Sequence, residues 1–309
     1  MGMPAETPRR NIHAVRPVPV RHLGRWIGGV ALLLFVYGFI RLLVFNANMQ
    51  WSVVGEYLFS REILEGIGRT LLLTFLAMLV GFAVGVILAI MRLSTNPVFQ
   101  AASWVWIWFF RGVPPLVQLV FWYNLALLIP EVTIGVPFGP VFWHGSTNVL
   151  ITPFSAAILG LSFTESAYAA EMVRAGIQAV SVGQTEAAAT LGMTRAQILR
   201  RIVLPQALKI LIPPIGNDTI SMLKFTSLVS VLAMPDLLYS AQMIYSRTYQ
   251  TIPLLIVATI WYLVLSTTLT LIEHYIEQRL ANRPFAFASM LGHFFKNRFW
   301  TLRWRDVRT

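Results

Sequence analysis

Residues 186–205 read EAAATLGMTRAQILRRIVLP. The stretch is helical in pattern and rich in arginine, and it lies in the middle of an otherwise strongly apolar chain. One glycine breaks it and one proline closes it. Just upstream, Ser181-Val-Gly-Gln184 has the Ser-x-x-Gln form of a capping box, which predicts a short helix through Glu186–Leu191. Gly192 stands where a C-terminal glycine ends a helix. Thr194-Arg-Ala-Gln197 is a second capping box. It predicts another helix with Ile198, Leu199, Ile202 and Val203 on one face, ended or kinked by Pro205. The local reading is a helix–glycine–helix hairpin. Periodicity alone favours an ordinary amphipathic loop hairpin lying on the membrane surface.

The surrounding chain decides where such a hairpin lives. Of 309 residues, 56% are hydrophobic and 12% charged, against about 25% charged in soluble domains. That composition belongs to membrane proteins. A spanning helix needs ~20 mostly apolar residues, and six segments answer: Trp26–Phe45, Arg69–Met91, Ala101–Ile129, Thr152–Ala175, Ile210–Met234 and Thr251–Tyr275. In the third, Arg111 and the pair Pro114–Pro115 predict an interfacial first part and a span from about Gly112, since proline removes helix hydrogen bonds. The stretch 130–150 holds six glycines and prolines and reads as an outer loop, with Phe142 and Trp143 suited to the interface. The fold class expected is an all-α integral membrane protein of about six spans, with the hairpin on the cytoplasmic side.

The net charge is +11, which in a soluble chain would point to nucleic acid. Its placement argues otherwise. With a cytoplasmic N-terminus, segments 1–25, 92–111, 172–210 and 276–309 hold nineteen of the 24 lysines and arginines. This is the positive-inside pattern, and it puts both termini in the cytoplasm. The organisation expected is a basic cytoplasmic segment 1–25, an N-terminal helix 26–45 retained as a signal anchor, a transmembrane core 66–280, and a basic cytoplasmic tail 281–309. No internal repeat supports an inverted-repeat carrier.

Catalytic chemistry finds no foothold. There is no cysteine, the five histidines lack metal-ligand spacing, and no Gly-Lys pair exists from which a nucleotide phosphate loop could be built. The polar residues within the spans are more informative, because ionisable groups inside a bilayer usually face a cavity or a partner. Thr164, Tyr168 and Glu171 fall on one helix face, as do Asn217, Ser221 and Lys224. Gln118 and Asn124 add amides, and Glu165 and Lys224 lie nearest the middle of their spans. These groups suit a path that replaces the water around a zwitterion by fixed hydrogen-bond partners, or polar glue between helices. Glu171 belongs to the second group, with Arg174 three residues on as its ion-pair partner.

The spacing Glu186-Ala187-Ala188, three residues, Gly192, nine residues, Ile202-x-Leu204-Pro205 resembles the signature loop of bacterial ABC-importer permeases. The resemblance runs from about Gly66 to Leu280 and is nearest to the branch that takes up polar amino acids (histidine, glutamate, glutamine, arginine and opines). FRGVPPLVQLVF at 110–121, AYAAEMVRAGIQAV at 167–180 and PPIGNDTISMLKFTSLVSV at 213–231 are similar to that branch's blocks. The chain departs from them at Glu165, Ser181, Asp218 and Phe225, and adds a helix at its N-terminus.

The resemblance implies a non-enzymatic permease subunit in the bacterial inner membrane. Its hairpin would dock on a cytoplasmic ATPase, which alone would hold ATP and magnesium. A second permease subunit, identical or related, and an extracytoplasmic solute-binding protein complete the assembly, with 46–68 and 130–150 as contacts for the latter. Glu186, Ala187, Ala188, Gly192, Ile202, Leu204 and Pro205 would form the coupling element. Gln118, Thr164, Glu165, Tyr168, Asn217, Ser221 and Lys224 are the pathway candidates. The rival readings are an ion-coupled carrier or channel without an ATPase, a membrane scaffold, and a nucleic-acid-binding membrane protein. The first gives no account of the hairpin, and the second predicts that Lys224 and Glu165 tolerate neutral replacement.

Overall fold

Thirteen of the 26 residues of helix α7, Pro153–Gln178, are buried. Its start is set by local chemistry. Thr152 accepts a hydrogen bond from the Ser155 amide, the Ser155 hydroxyl accepts one from the Thr152 amide, and Pro153 opens the first turn, where a missing N–H is harmless. The structure, a computed structural model, describes residues 23–136 and 140–280. The expected segment 1–25, save its last residues, and the tail 281–309 lie outside the described residues.

Two units divide the chain at Gln50. The first contains α1, Leu23–Val44, an apolar helix long enough to cross a membrane. The second begins with α2, Trp51–Tyr57, and α3, Arg61–Leu93. There follow α4, Pro97–Gly112, and α5, Pro115–Tyr123. Strands β1, Glu131–Gly135, and β2, Val141–Ser146, and the short α6, Thr147–Leu150, lead to α7. Beyond α7 come α8, Val182–Thr190, and α9, Arg195–Ile198. A π-helical turn, Leu199–Val203, leads into α10, Leu204–Phe225, which continues as a 3-10 helix, Thr226–Leu232. The last helices are α11, Leu237–Thr248, and α12, Thr251–Leu280.

Alone, α1, α3 and α12 are long and apolar enough to span, and the bent pairs α4–α5 and α10–α11 bring the number to five. The sixth expected span is α7, whose 26 residues reach about 39 Å. It is less apolar because its neighbours are helices rather than lipid. Ala156, Ala157, Gly160, Ser162, Ser166, Ala167, Ala169 and Ala170 are all buried. Small residues let backbones approach closely where no hydrophobic force between helices exists.

The closest approach is to α3, which runs parallel to α7. A Cβ on Gly81 would lie 2.5 Å from Glu165 Cβ, and one on Gly85 would lie 2.6 Å from Ala169 Cβ. Ala77, Gly81, Gly85 and Ala89 form one four-residue ladder along this seam, all buried. Nearer its start, the same face of α3 holds α11. Thr70 Oγ1 accepts from the Leu237 amide at 3.0 Å, and Arg69 donates to the Pro235 carbonyl at 3.2 Å. Asp236, fully buried, caps α11 by accepting from the Tyr239 amide and also accepts from the Tyr262 hydroxyl of α12.

Four expectations are corrected. The third segment breaks by 101° between α4 and α5, and the part after Gly112 is too short to span: α5's nine residues reach about 14 Å of the ~30 Å required. Pro205 does not end a helix. The π-turn lets the Leu204 amide bond five residues back to Leu199, and the helix runs on through the proline into α10. The Ser181 capping box does not form, because Ser181 makes no side-chain cap and the Gln184 amide is bonded elsewhere. Finally, the outer loop contains an antiparallel hairpin, β1 with β2, a small addition to an otherwise helical architecture.

Candidate functional site

Helix α8 ends in a Schellman turn. Met193 N–H donates to Ala188 O and Gly192 N–H to Ala189 O, with Gly192 in the left-handed region at φ +79°. The Thr194 box then starts α9, its hydroxyl accepting from the Gln197 amide while the Gln197 side chain accepts from the Thr194 amide. Ala188 is buried against the rest of the chain, whereas Glu186 and Ala187 are exposed. Leu191, at the tip, is 83% exposed. That apolar knob was not singled out from the sequence, although a leucine beside a helix-ending glycine is its visible signal. Below the turn, Val180, Val203 and Ala207 form a small core with Ile177 and Ile198. Ile202 is half-buried, and Leu204 and Pro205 are exposed.

A bond invisible to local sequence reading ties the hairpin to α10. The Gln206 Nε2 group donates to Gln184 Oε1 at 2.6 Å and to the Ile202 carbonyl at 2.9 Å. One side chain thus joins α8, the π-turn and the first turn of α10.

The pathway candidates separate into two groups. Gln118, Thr164 and Glu165 are buried. Gln118 Nε2 donates to the carbonyls of Phe110 and Val113, and its Oε1 accepts from the Thr164 hydroxyl at 3.1 Å. In an unbroken helix the amide of residue 114 would serve Phe110, but Pro114 has none. Gln118 therefore seals the break and fastens it to α7. Glu165 is 4% exposed, and its Oε1 has no hydrogen-bond partner among the described residues. Asp218 of α10 lies within electrostatic reach.

The second group is open. Tyr168 is exposed with the Arg111 guanidinium 5.2 Å from its ring centre, a cation–π geometry. Asn217 and Lys224 are exposed and Ser221 is half-buried. Asn217 donates to the Pro213 carbonyl and Ser221 to the Asn217 carbonyl. Lys224 makes no ion pair among the described residues. The packing of α10 on α7 sets Leu211 against Gly176. Glu171 and Arg174 pair at 2.6 Å, as their spacing predicts. Asn124 bonds back to the Val120 carbonyl. Among the described residues, no group of histidines and carboxylates is placed to hold a metal.

Known proteins share this arrangement. Residues 81–282 match the family described as binding-protein-dependent transport system inner membrane component. The arginine transport system permease protein ArgU of Corynebacterium glutamicum is 41% identical over 261 residues, covering 84% of this chain and 81% of that protein. The histidine/lysine/arginine/ornithine transport system permease protein HisM of Escherichia coli is 32% identical over 69% of this chain and 87% of its own length. Among solved structures, an amino acid ABC transporter crystallised with histidines superposes with a TM-score of 0.60 at 36% identity, over 71% of this chain and 94% of that one. The methionine transporter MetNI, at 18% identity and a TM-score of 0.57, shares the fold. The chain belongs to the binding-protein-dependent transport system inner membrane components and is a permease subunit of an ABC importer.

Proposed function

We propose that this permease carries a polar amino acid into the cytoplasm and is driven through its 182–205 hairpin by a separate ATPase subunit. One observation carries the coupling assignment. The exposed side chains Glu186, Ala187 and Leu191 stand on a helix that turns at Gly192 and is fastened through Gln206 to a membrane-spanning helix. Such a part transmits displacement from a docked partner. ATP and magnesium belong to that partner. Supporting the cargo class are the relatives' arginine and histidine/lysine/arginine/ornithine systems and the open polar residues Tyr168, Asn217, Ser221 and Lys224. A second permease subunit completes the path. A solute-binding protein delivers cargo on the face opposite the hairpin, and both termini lie in the cytoplasm.

The test is Gly192→Val. A side chain at Gly192 would meet nothing within 4 Å, so the change strains only the turn and whatever docks there. A β-branched residue in the left-handed region costs ~1–2 kcal/mol or more. The expected outcome is a permease that inserts normally but no longer co-purifies with its ATPase and no longer supports ATP-dependent uptake. Glu186→Lys should act in the same direction through charge reversal. Unimpaired docking and uptake in both variants would reduce the hairpin to a surface loop.

A further inference from the structure

The β1–β2 hairpin has two unlike faces. Directly paired residues share a face, and the register pairs Val132 with Gly145 and Ile134 with Trp143, while Glu131 pairs with Ser146 and Thr133 with His144. One face is therefore Val132, Ile134 and Trp143, with the Trp143 ring folded over Gly145, where an added Cβ would meet it at 2.5 Å. The other carries Glu131, Thr133, His144 and Ser146. Beyond Trp143 the register slips, leaving Phe142 as the unpaired residue of a bulge. A two-stranded hairpin is marginal in water unless one face is covered. Here Ile134 is 59% and Trp143 43% exposed, so the described residues leave this apolar face largely bare.

Its surroundings indicate the cover. The hairpin rises between two membrane helices, α5 and α7, and its feet are joined by the Thr147 amide donating to the Pro130 carbonyl. At those feet Leu127 is 82%, Leu128 68% and Val149 75% exposed. Bare aliphatic residues thus stand at both feet of the hairpin, between α5 and α7. The apolar strand face carries no charge, and its one polar group is an indole N–H, the group enriched where bilayer meets water. Three side chains fall well short of the ~800 Å² per partner that a stable protein contact needs.

We infer that the Val132–Ile134–Trp143 face lies on the lipid boundary of the membrane, leaving the Glu131–Thr133–His144 face to the water. The hairpin is then a shelf that fixes the outer loop at a set height. The inference rests on the chain being a membrane permease and is independent of the cargo and of the ATPase site.

The absence of cysteine makes the test clean. Ile134→Cys, Trp143→Cys and Thr133→Cys, each labelled with the environment-sensitive fluorophore NBD, are reconstituted in phospholipid nanodiscs. The expected result is blue-shifted emission at 134 and 143, quenched severalfold more by shallow doxyl-labelled lipid than by aqueous iodide, with the opposite order at 133. Two positions on the apolar face guard against one label disturbing the strand. Iodide quenching of 134 and 143 equal to that of 133 would overturn the inference and place the hairpin in water. Protection of 134 and 143 from both quenchers would also overturn it, in favour of a protein cover such as a second copy.

Discussion

Replacing Gly85 by alanine adds a single carbon where α3 and α7 touch. That carbon would lie 2.6 Å from Ala169 Cβ and 3.0 Å from both the Ala170 nitrogen and the Ser166 oxygen. Carbon pairs settle at about 3.5–4.0 Å, so the helices must part by about 1 Å. Two of the three opposing atoms are backbone and cannot swing aside. Overpacking of this kind costs ~1–3 kcal/mol. The control lies on the same helix. Gly68 is exposed with nothing within 4 Å of an added Cβ, so Gly68→Ala should gain up to ~1 kcal/mol in helix propensity. The two variants are expected to shift thermal unfolding, followed in nanodiscs, in opposite directions. The gap should be roughly 5–10 °C at ~2–4 °C per kcal/mol. Adding Ala169→Gly to Gly85→Ala removes the nearest atom and leaves the two 3.0 Å contacts, so recovery should be partial. If Gly85→Ala unfolds at the same temperature as Gly68→Ala, the close parallel packing of α3 on α7 is wrong.

Three further outcomes follow from the geometry. Gln206→Leu is expected to leave ATPase binding intact while lowering substrate transported per ATP hydrolysed, and Gln184→Glu with Gln206→Lys, an ion pair in place of the amide pair, should restore the ratio; an unchanged ratio in Gln206→Leu would remove this side chain from coupling. Lys224→Ala should cut uptake severalfold with assembly and basal ATP hydrolysis preserved, because the exposed ammonium has no ion pair to lose among the described residues; loss of assembly would make it structural. Asp236→Ala strips the Tyr239 amide and Tyr262 hydroxyl of a buried acceptor, at ~1–3 kcal/mol. A fall in the thermal midpoint is expected, and an unchanged midpoint would mean that the buried node holds nothing together.

What could be read from sequence was what local chemistry controls. Gly192 and the Thr194 box act within a few residues of themselves, and both occur as their spacing predicts. The Ser181 box has the same spacing and does not form: the Gln184 amide donates to the Ser181 carbonyl, and the Gln184 side chain is held by Gln206, a partner 22 residues away. Pro114–Pro115 announces a break, but the sealing of that break depends on Gln118 and on Thr164, 46 residues further on. The strands lie in a stretch whose glycines and prolines read as loop, and their pairing is a non-local event. The ladder of Ala77, Gly81, Gly85 and Ala89 is plain in the second span at four-residue intervals. Its partner, a helix some 80 residues downstream, is not. The pathway candidates share helix faces as their periodicity requires, but their division into a buried and an open group depends on packing among α5, α7 and α10.

The seam between α3 and α7 also says where this transporter cannot bend. Helices separated by a layer of long side chains can slide as those side chains change rotamer. Here backbone meets side-chain stubs and neighbouring backbone, and there is no such layer to rearrange. The two helices therefore behave as a stator. Motion during the transport cycle is left to joints at its margins: the π-turn at Leu199–Val203 and the left-handed residue Ala233 before α11. Each joint leads into an element packed on the stator. A stroke delivered at the hairpin would thus swing α10 against an immobile post instead of dispersing through the bundle.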